Sequence, residues 1–306
     1  MLSVDRSQER LARRAIALDK AYARRPVPQG AEALYASIEP ADGGAEAAAR
    51  EFAAEWLNLL AAAHSCAEFG WPDLVVAVPA ALYSFAYQTR RTATLIDLYR
   101  RALDFGGTAP IRWQLNRDLA GLHEQLGEGE ATVEFATAAL DTGYAPGTAS
   151  AWEWRGLGYE CLGRFTEARD SLTEAVAAVH LMGDPAQERR AAALLRMHLS
   201  RVELKRESFD NAKIALNQAG EYFAQDERDA PNLARCEELL GDLERKLGDG
   251  SAAETRWLRA GTIYERREMP VNAAGVLDKL GDLAEARERP EEARAYRDRA
   301  KELRAG

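Results

Sequence analysis

Apolar residues recur along most of this chain at three- and four-residue intervals, the spacing that gathers them on one side of a helix. The stretch WEWRGLGYECLGRFTEARDSLTEAV, from Trp152 to Val176, shows the pattern most clearly. Trp152, Gly156 and Tyr159 form one stripe, and Ala168, Leu172 and Ala175 form another. Each stripe holds a small residue between larger ones. Gly156 and Ala168 let two helix axes approach closely as an antiparallel hairpin, while Trp152, Tyr159, Phe165 and Leu172 fill the space around the contact. Gly163 supplies the left-handed residue that ends the first helix and turns the chain back.

The same grid returns downstream in LLGDLERKLGDGSAAETRWLRA, with Leu240, Gly241, Gly248, Ala253, Trp257 and Ala260, and in KLGDLAEARERPEEARAYRDRA, with Leu280, Gly281, Ala293 and Ala300. A weaker copy carries Leu199, Ser200, Phe209, Ala212, Leu216 and Ala219, and an earlier one Leu119, Ala120, Gly127 and Ala139. Matching positions are separated by roughly 36 to 44 residues, a fixed-period repeat of helix hairpins. Hairpins that each expose an apolar face are stable only when stacked, so the expected architecture is an all-α solenoid.

These small and bulky residues, at these spacings, resemble the tetratricopeptide repeat, whose pattern asks for Trp, Gly, Tyr, Ala, a bulky residue and Ala. Arg155 departs from it, standing where that family usually has Leu. The resemblance implies a right-handed superhelix of antiparallel helix pairs.

Before residue 109 the pattern is less regular. Residues 5–25 read as one amphipathic helix ended by Pro26 and Pro28, residues 39–45 as a loop, and Glu46 to Phe69 as a long helix. A further helix follows with Pro79 inside it, to be kinked there or to begin there, and RTATLIDLYRRAL completes another hairpin. The expected division is residues 1–44 as an N-terminal helical segment, 45–108 as divergent hairpins continuous with the repeats, and 109–306 as the repeats, with about fourteen helices in all. Phe52, Glu55, Asn58 and Leu59, with the helix after them and the closing repeat, resemble the helical-repeat sensor region of bacterial STAND-type signalling ATPases and of SARP-type transcriptional regulators. That resemblance implies a sensor or interaction portion of a bacterial signalling, transcriptional or defence regulator.

Composition agrees with helix: 47% of residues are hydrophobic and 29% charged, with Ala, Leu, Glu and Arg prominent. The net charge of −9 speaks against a phosphate-neutralising surface, so no direct nucleic-acid partner is expected. Cys66, Cys161 and Cys236 are far apart and read as reduced thiols, Cys161 as a buried or half-buried structural one. Neither an apolar leader core nor a membrane-length apolar run is present, so the expectation is a cytoplasmic protein without a membrane partner.

Catalytic patterns are missing. The phosphate-cradling G-x-x-x-x-G-K-[ST] does not occur, and GLGYECLG is explained by helix packing, without a strand before it. His64, His123, His180 and His198 have no metal-ligand spacing and suit surface or groove positions. No enzyme, cofactor or metal is expected.

In tetratricopeptide repeats the first helix of each pair lines the concave face. Carrying the family's exposed positions onto this chain gives Arg117 and Glu124, then Glu153, Leu157 and Glu160, then Met197 and Arg201, then Glu238, Asp242 and Arg245, and last Asp278, Asp282 and Glu285. Tyr87 and Gln88 join them if the preceding hairpin is part of the stack. Acids outnumber bases, especially toward the C-terminal end, so the expected partner is a protein or peptide bearing basic residues. The Lys and Asn pair with which some family members clamp a terminal carboxylate is absent from all five copies. The alternative reading is a small-molecule-responsive domain, with a pocket between helices near Tyr87, Trp152, Trp154 or Tyr159. Oligomeric state is not legible from the sequence.

Overall fold

Fifteen α-helices and four 3-10 turns account for the regular structure among the described residues. The computed structural model describes residues 2–23 and 26–305, with side chains from residue 6 onward. The chain divides into two compact units, Met1–Met182 and Gly183–Gly306.

The first unit holds α1 (Leu2–Tyr22), α2 (Glu32–Ala36), α3 (Gly44–Glu68), α4 (Pro72–Gln88), α5 (Ile96–Asp104), α6 (Ala109–Gln125), α7 (Gly129–Asp141), α8 (Thr148–Cys161) and α9 (Phe165–Ala178). Helix α1 packs on α3 and α4, where Phe52 stacks on Phe85 with centroids 5.0 Å apart and Tyr22 meets both rings edge-on at 5.8 Å. Pro72 opens α4, where its missing donor is harmless, and Pro79 lies buried inside that helix and does not begin it. The pattern overlooks α2, which spans only five residues. Lys20 donates to the carbonyls of Tyr35 and Ile38, and the Tyr35 hydroxyl donates to Asp19 at 2.9 Å, so α1 holds this short helix in place.

The second unit holds α10 (Pro185–Lys205), α11 (Phe209–Phe223), α12 (Ala230–Lys246), α13 (Gly250–Arg266), α14 (Pro270–Ala286) and α15 (Pro290–Ala305). In both units consecutive repeat helices pair as antiparallel hairpins, α6 with α7, α8 with α9, α10 with α11, α12 with α13 and α14 with α15. The fold is all-helical and tetratricopeptide-like.

The small residues do what their spacing predicts. A Cβ placed on Gly156 would lie 2.7 Å from Leu172 Cγ, closer than packed atoms allow, and a tight 3.3 Å from the Ala168 carbonyl oxygen. Gly281 is less tightly packed, with Arg297 Cγ at 3.2 Å and the Ala293 carbonyl at an ordinary 3.5 Å, whereas Gly241 makes room for the Trp257 indole, 2.4 Å from the same imagined atom. Arg155, the departure from the family pattern, lays its guanidinium 4.0 Å from the Trp152 ring centroid and donates to Ser171 Oγ, replacing a leucine contact with a cation–π stack. The turns end on a left-handed residue: Gly127, Gly163 and Gly248 in three hairpins, but Glu207 (φ 59°) and Glu288 (φ 58°) in two others.

Candidate functional site

Within the first unit α6 adjoins both α4 and α8, so the first helices of successive pairs form one continuous face. Helical spacing then sets Arg117, Gly121 and Glu124 in a row on α6 beside Glu153, Leu157 and Glu160 on α8. Gly121 is the hinge of this surface: a Cβ there would meet the Tyr83 hydroxyl at 2.5 Å and the Trp154 ring at 3.2 Å, so a glycine lets rings from α4 and α8 close over α6. Tyr83 stacks on Tyr87 at 5.7 Å and meets Tyr99 edge-on.

Tyr87 and Gln88 are tied to neighbouring helices of the first unit. Gln125 donates to the Tyr87 carbonyl at 2.7 Å, while Gln88 accepts from the Tyr22 hydroxyl on the α1 side. Burial pushes the Tyr87 hydroxyl above its ordinary pKa, and the Glu124 carboxylate beside it adds to the shift. Glu153 is half-buried; desolvation raises its carboxyl to about 7 against the pull of the Arg117 guanidinium. Arg117 itself pairs with buried Asp118 and lies 5.2 Å from the centroid of the Trp113 ring. This face therefore carries three carboxylates, one arginine and several rings, with Arg117 paired to Asp118 and Glu124 in contact with Tyr87. Leu157, expected to be exposed, is only 8% accessible, because its α8 turn also carries Gly156 and Gly158 into the contacts with α9 and α7.

The second unit presents its candidates differently. Met197 is half-buried and packs against the apolar cluster of α10 to α12, and Arg201 is half-buried one turn further along α10. Burial pulls His198 between them down to about 4, helped by the charges of Arg201 and Arg235, which keeps it neutral near pH 7. Glu238 is not an exposed groove acid: it is 7% accessible, accepts from Arg235, Lys279 and the Tyr264 hydroxyl, and despite burial is held below the usual carboxylate range. Asp242 accepts from Lys279 and from the Trp257 indole at 3.0 Å. Asp282 and Glu285 both pair with Arg297, and Asp278 pairs with Arg304. The acidic excess read from the sequence at this end is thus largely satisfied by cations of the same unit. Arg245 is the exception, exposed and without an ion-pair partner among the described residues.

His123 is buried, stacked on Phe135 at 5.2 Å and bonded to Glu128, so it is a packing residue and not a surface one. Cys161 is exposed, contrary to the reading of a buried or half-buried thiol, because it is the last residue of α8, with its sulfur 3.3 Å from the Gly127 carbonyl. Phe52 and Leu59 are buried and Asn58 bonds Glu55 at 2.7 Å, so that motif organises its own helix and core. Among the described residues no group of acidic, His and Cys side chains is placed to hold a metal ion, and no helix is long and apolar enough to cross a membrane.

No family model matches the chain, and no curated protein matches it. Solved structures do. The apo form of RapI superposes with a TM-score of 0.58 over 83% of this chain and 95% of its own, at 16% identity. BtubC (BKLC) from P. vanneervenii gives 0.57 over 71% and 89% at 19% identity. Aspartyl phosphate phosphatase F from Bacillus subtilis gives 0.55 over 76% and 71% at 10% identity. At these identities the likeness is one of fold, and it places the hairpins in the helical-repeat class already indicated by Gly156 and its counterparts.

Proposed function

We propose that this chain is a non-enzymatic protein-interaction module that receives a protein or peptide segment bearing basic residues on the α4, α6 and α8 face of its first unit. The observation that carries this reading is a row of acids on adjoining helices: Glu124 lies beside Tyr87, itself stacked on Tyr83, and Glu153 lies near Arg117, with Glu160 two turns beyond Glu153 on the same side of α8. Carboxylates next to ring faces suit a Lys or Arg side chain, which gains ion pairing and a cation–π contact together. The helical-repeat fold supports the reading because such folds present continuous faces to extended guests. A sensor role in a bacterial signalling or transcriptional regulator rests on the resemblance carried by Phe52, Glu55, Asn58 and Leu59. The small-molecule alternative is less supported, since Trp152 is stacked under Arg155 and Trp154 packs over Gly121, which leaves those rings engaged within the fold.

The test is fluorescence anisotropy with labelled peptides alternating Arg and Gly, or Glu and Gly. The Arg peptide binds in a salt-sensitive manner, and Glu124→Gln with Glu160→Gln weakens it by roughly tenfold. Equal binding of the Glu peptide, or binding indifferent to both substitutions, removes this face from consideration.

A further inference from the structure

Between α12, α13 and α14 of the second unit lies a cavity of about 260 Å³ lined by Asp242, Arg245, Trp257, Lys279, Asp282 and Leu283. Four of the six are charged, and their pairing decides what the cavity can accept. Both oxygens of Asp242 are within 2.8 Å of the Lys279 ammonium, and Oδ1 also accepts from the Trp257 indole. Lys279 has a further contact at 2.7 Å to Glu238, so its three protons are engaged. Asp282 is bonded to Arg297 at 3.1 Å. The carboxylates lining the cavity are therefore occupied from within the unit, and the charge left to a guest is the Arg245 guanidinium.

Arg245 stands in the last turn of α12, where a cation also complements the helix dipole. It is not required there to satisfy backbone acceptors. The carbonyls of Leu243, Glu244 and Arg245 already accept from the amides of Leu247, Asp249 and Gly248. Its donors are free to face a ligand, and a guanidinium recognises a carboxylate through two parallel N–H bonds. The volume sets the size of that ligand: pockets for whole small molecules run from roughly 300 to 1,000 Å³, and this one falls below that range, at the scale of one amino-acid side chain. Leu283 and the Trp257 indole give it an apolar wall for methylene groups.

We infer that this cavity is a subsite for a peptide carboxylate, with Arg245 as the anion-binding residue and Trp257 and Leu283 packing the chain that carries it. The subsite extends the reading of the protein as a peptide-binding module and adds an acidic determinant to the basic one proposed for the first unit. Lys279 is a positioning residue: it ties Asp242 and Glu238 down, and so keeps them from repelling the incoming charge.

The full chain, ¹⁵N-labelled, is titrated with the capped pentapeptide Ac-Gly-Gly-Glu-Gly-Gly-NH₂, and the Arg245 Nε–H and Trp257 indole N–H signals are followed. Peptides with Gln or Lys in place of Glu serve as controls, and Ac-Gly-Gly-Gly with a free terminus separates a terminal carboxylate from a side-chain one. The Glu peptide moves both signals saturably, the Gln and Lys peptides do not, and Arg245→Gln weakens the effect on Trp257 by roughly tenfold while leaving the rest of the spectrum in place. A response to the free-terminus peptide alone supports the carboxylate subsite and assigns it to a chain end. Equal shifts with Gln, no shift with either carboxylate, or an undiminished shift in Arg245→Gln overturns the inference. Glu124→Gln with Glu160→Gln leaves this titration unchanged, so failure of the basic-partner reading and failure of this subsite appear in separate experiments.

Discussion

Lys279 on α14 places its ammonium 2.7 Å from Glu238 Oε1 and 2.7 Å from Asp242 Oδ1, so two carboxylates one turn apart on α12 share one cation from the next hairpin. Glu238 is almost fully buried, and Arg235 on its own helix is its other charged partner. Replacing Lys279 with Met leaves a buried carboxylate half-compensated. Losing one partner of a buried pair costs about 3–5 kcal/mol, and the remaining Arg235 contact brings the expectation to about 2–3 kcal/mol by urea unfolding. The double change Lys279→Met with Glu238→Gln recovers much of that loss; a Lys279→Met protein as stable as the wild type contradicts the role assigned here. Burial alone would raise the Glu238 pKa, yet Lys279 and Arg235 hold it below its ordinary value, so its contribution is present above the usual carboxylate range and fades as pH falls through the lowered value. The acid-side loss is therefore shallower in Lys279→Met.

Two glycines inside helices predict opposite outcomes for the same substitution. Gly156→Ala forces a methyl against Leu172 and the Ala168 carbonyl, and a backbone atom cannot rotate away. Overpacking of this kind costs about 1–3 kcal/mol. Gly275, within α14, has no heavy atom inside 4 Å of the added methyl, so Gly275→Ala gains the helix-propensity difference of about 0.5–1 kcal/mol. Thermal unfolding of the two variants separates them in sign. A stabilised Gly156→Ala would mean that α8 and α9 do not depend on the close approach.

The contrast also shows what the sequence could and could not convey. Gly156 and Ala168 were legible because a helix-packing notch must recur at fixed spacing, and spacing is a property of the chain. Lys279 was not, since it sits between the groove positions Asp278 and Asp282 and acts by reaching the neighbouring hairpin, whose offset is set by how α13 and α14 pack. The same cause hid the internal pairing of the groove acids: charge was counted residue by residue, whereas Asp278 and Asp282 meet Arg304 and Arg297 only after α15 folds back on α14. Glycine also overstated the regularity of the turns. Glu207 and Glu288 adopt the left-handed conformation that Gly163 adopts, because the turn geometry is imposed by the helices on either side.

The three thiols should differ sharply toward a maleimide. Cys66 and Cys236 are buried, and desolvation pushes each up to about 12, so little thiolate is present and little of it is reachable. Cys161 is exposed at the end of α8. Under native conditions intact mass spectrometry then shows one adduct, mapped to Cys161 and lost in Cys161→Ser, with two more only after denaturation. Rapid native modification of Cys236 would contradict its packing among Leu239, Leu240 and Phe223.

Glu153 links stability to pH in the direction opposite to Glu238. Desolvation raises its folded-state pKa from 4.5 to about 7, with Arg117 opposing the shift. Between those values the folded protein keeps a proton that the unfolded chain releases, so folding is favoured on the acid side and the advantage is lost as pH rises through about 7. The swing is on the order of 3 kcal/mol at most, from about 1.4 kcal/mol per pKa unit, and solvent at this half-buried site reduces it. Glu153→Gln, which stays neutral, removes the slope and is the more stable protein above neutral pH; urea midpoints measured from about pH 5 to pH 8 for both chains test this. Binding runs the other way. The ionised carboxylate is the form that attracts a basic side chain, so affinity for the Arg peptide rises across the same interval in the wild type and stays flat in Glu153→Gln. Parallel pH profiles for the two proteins would show that Glu153 titrates outside this window and takes no part in either effect.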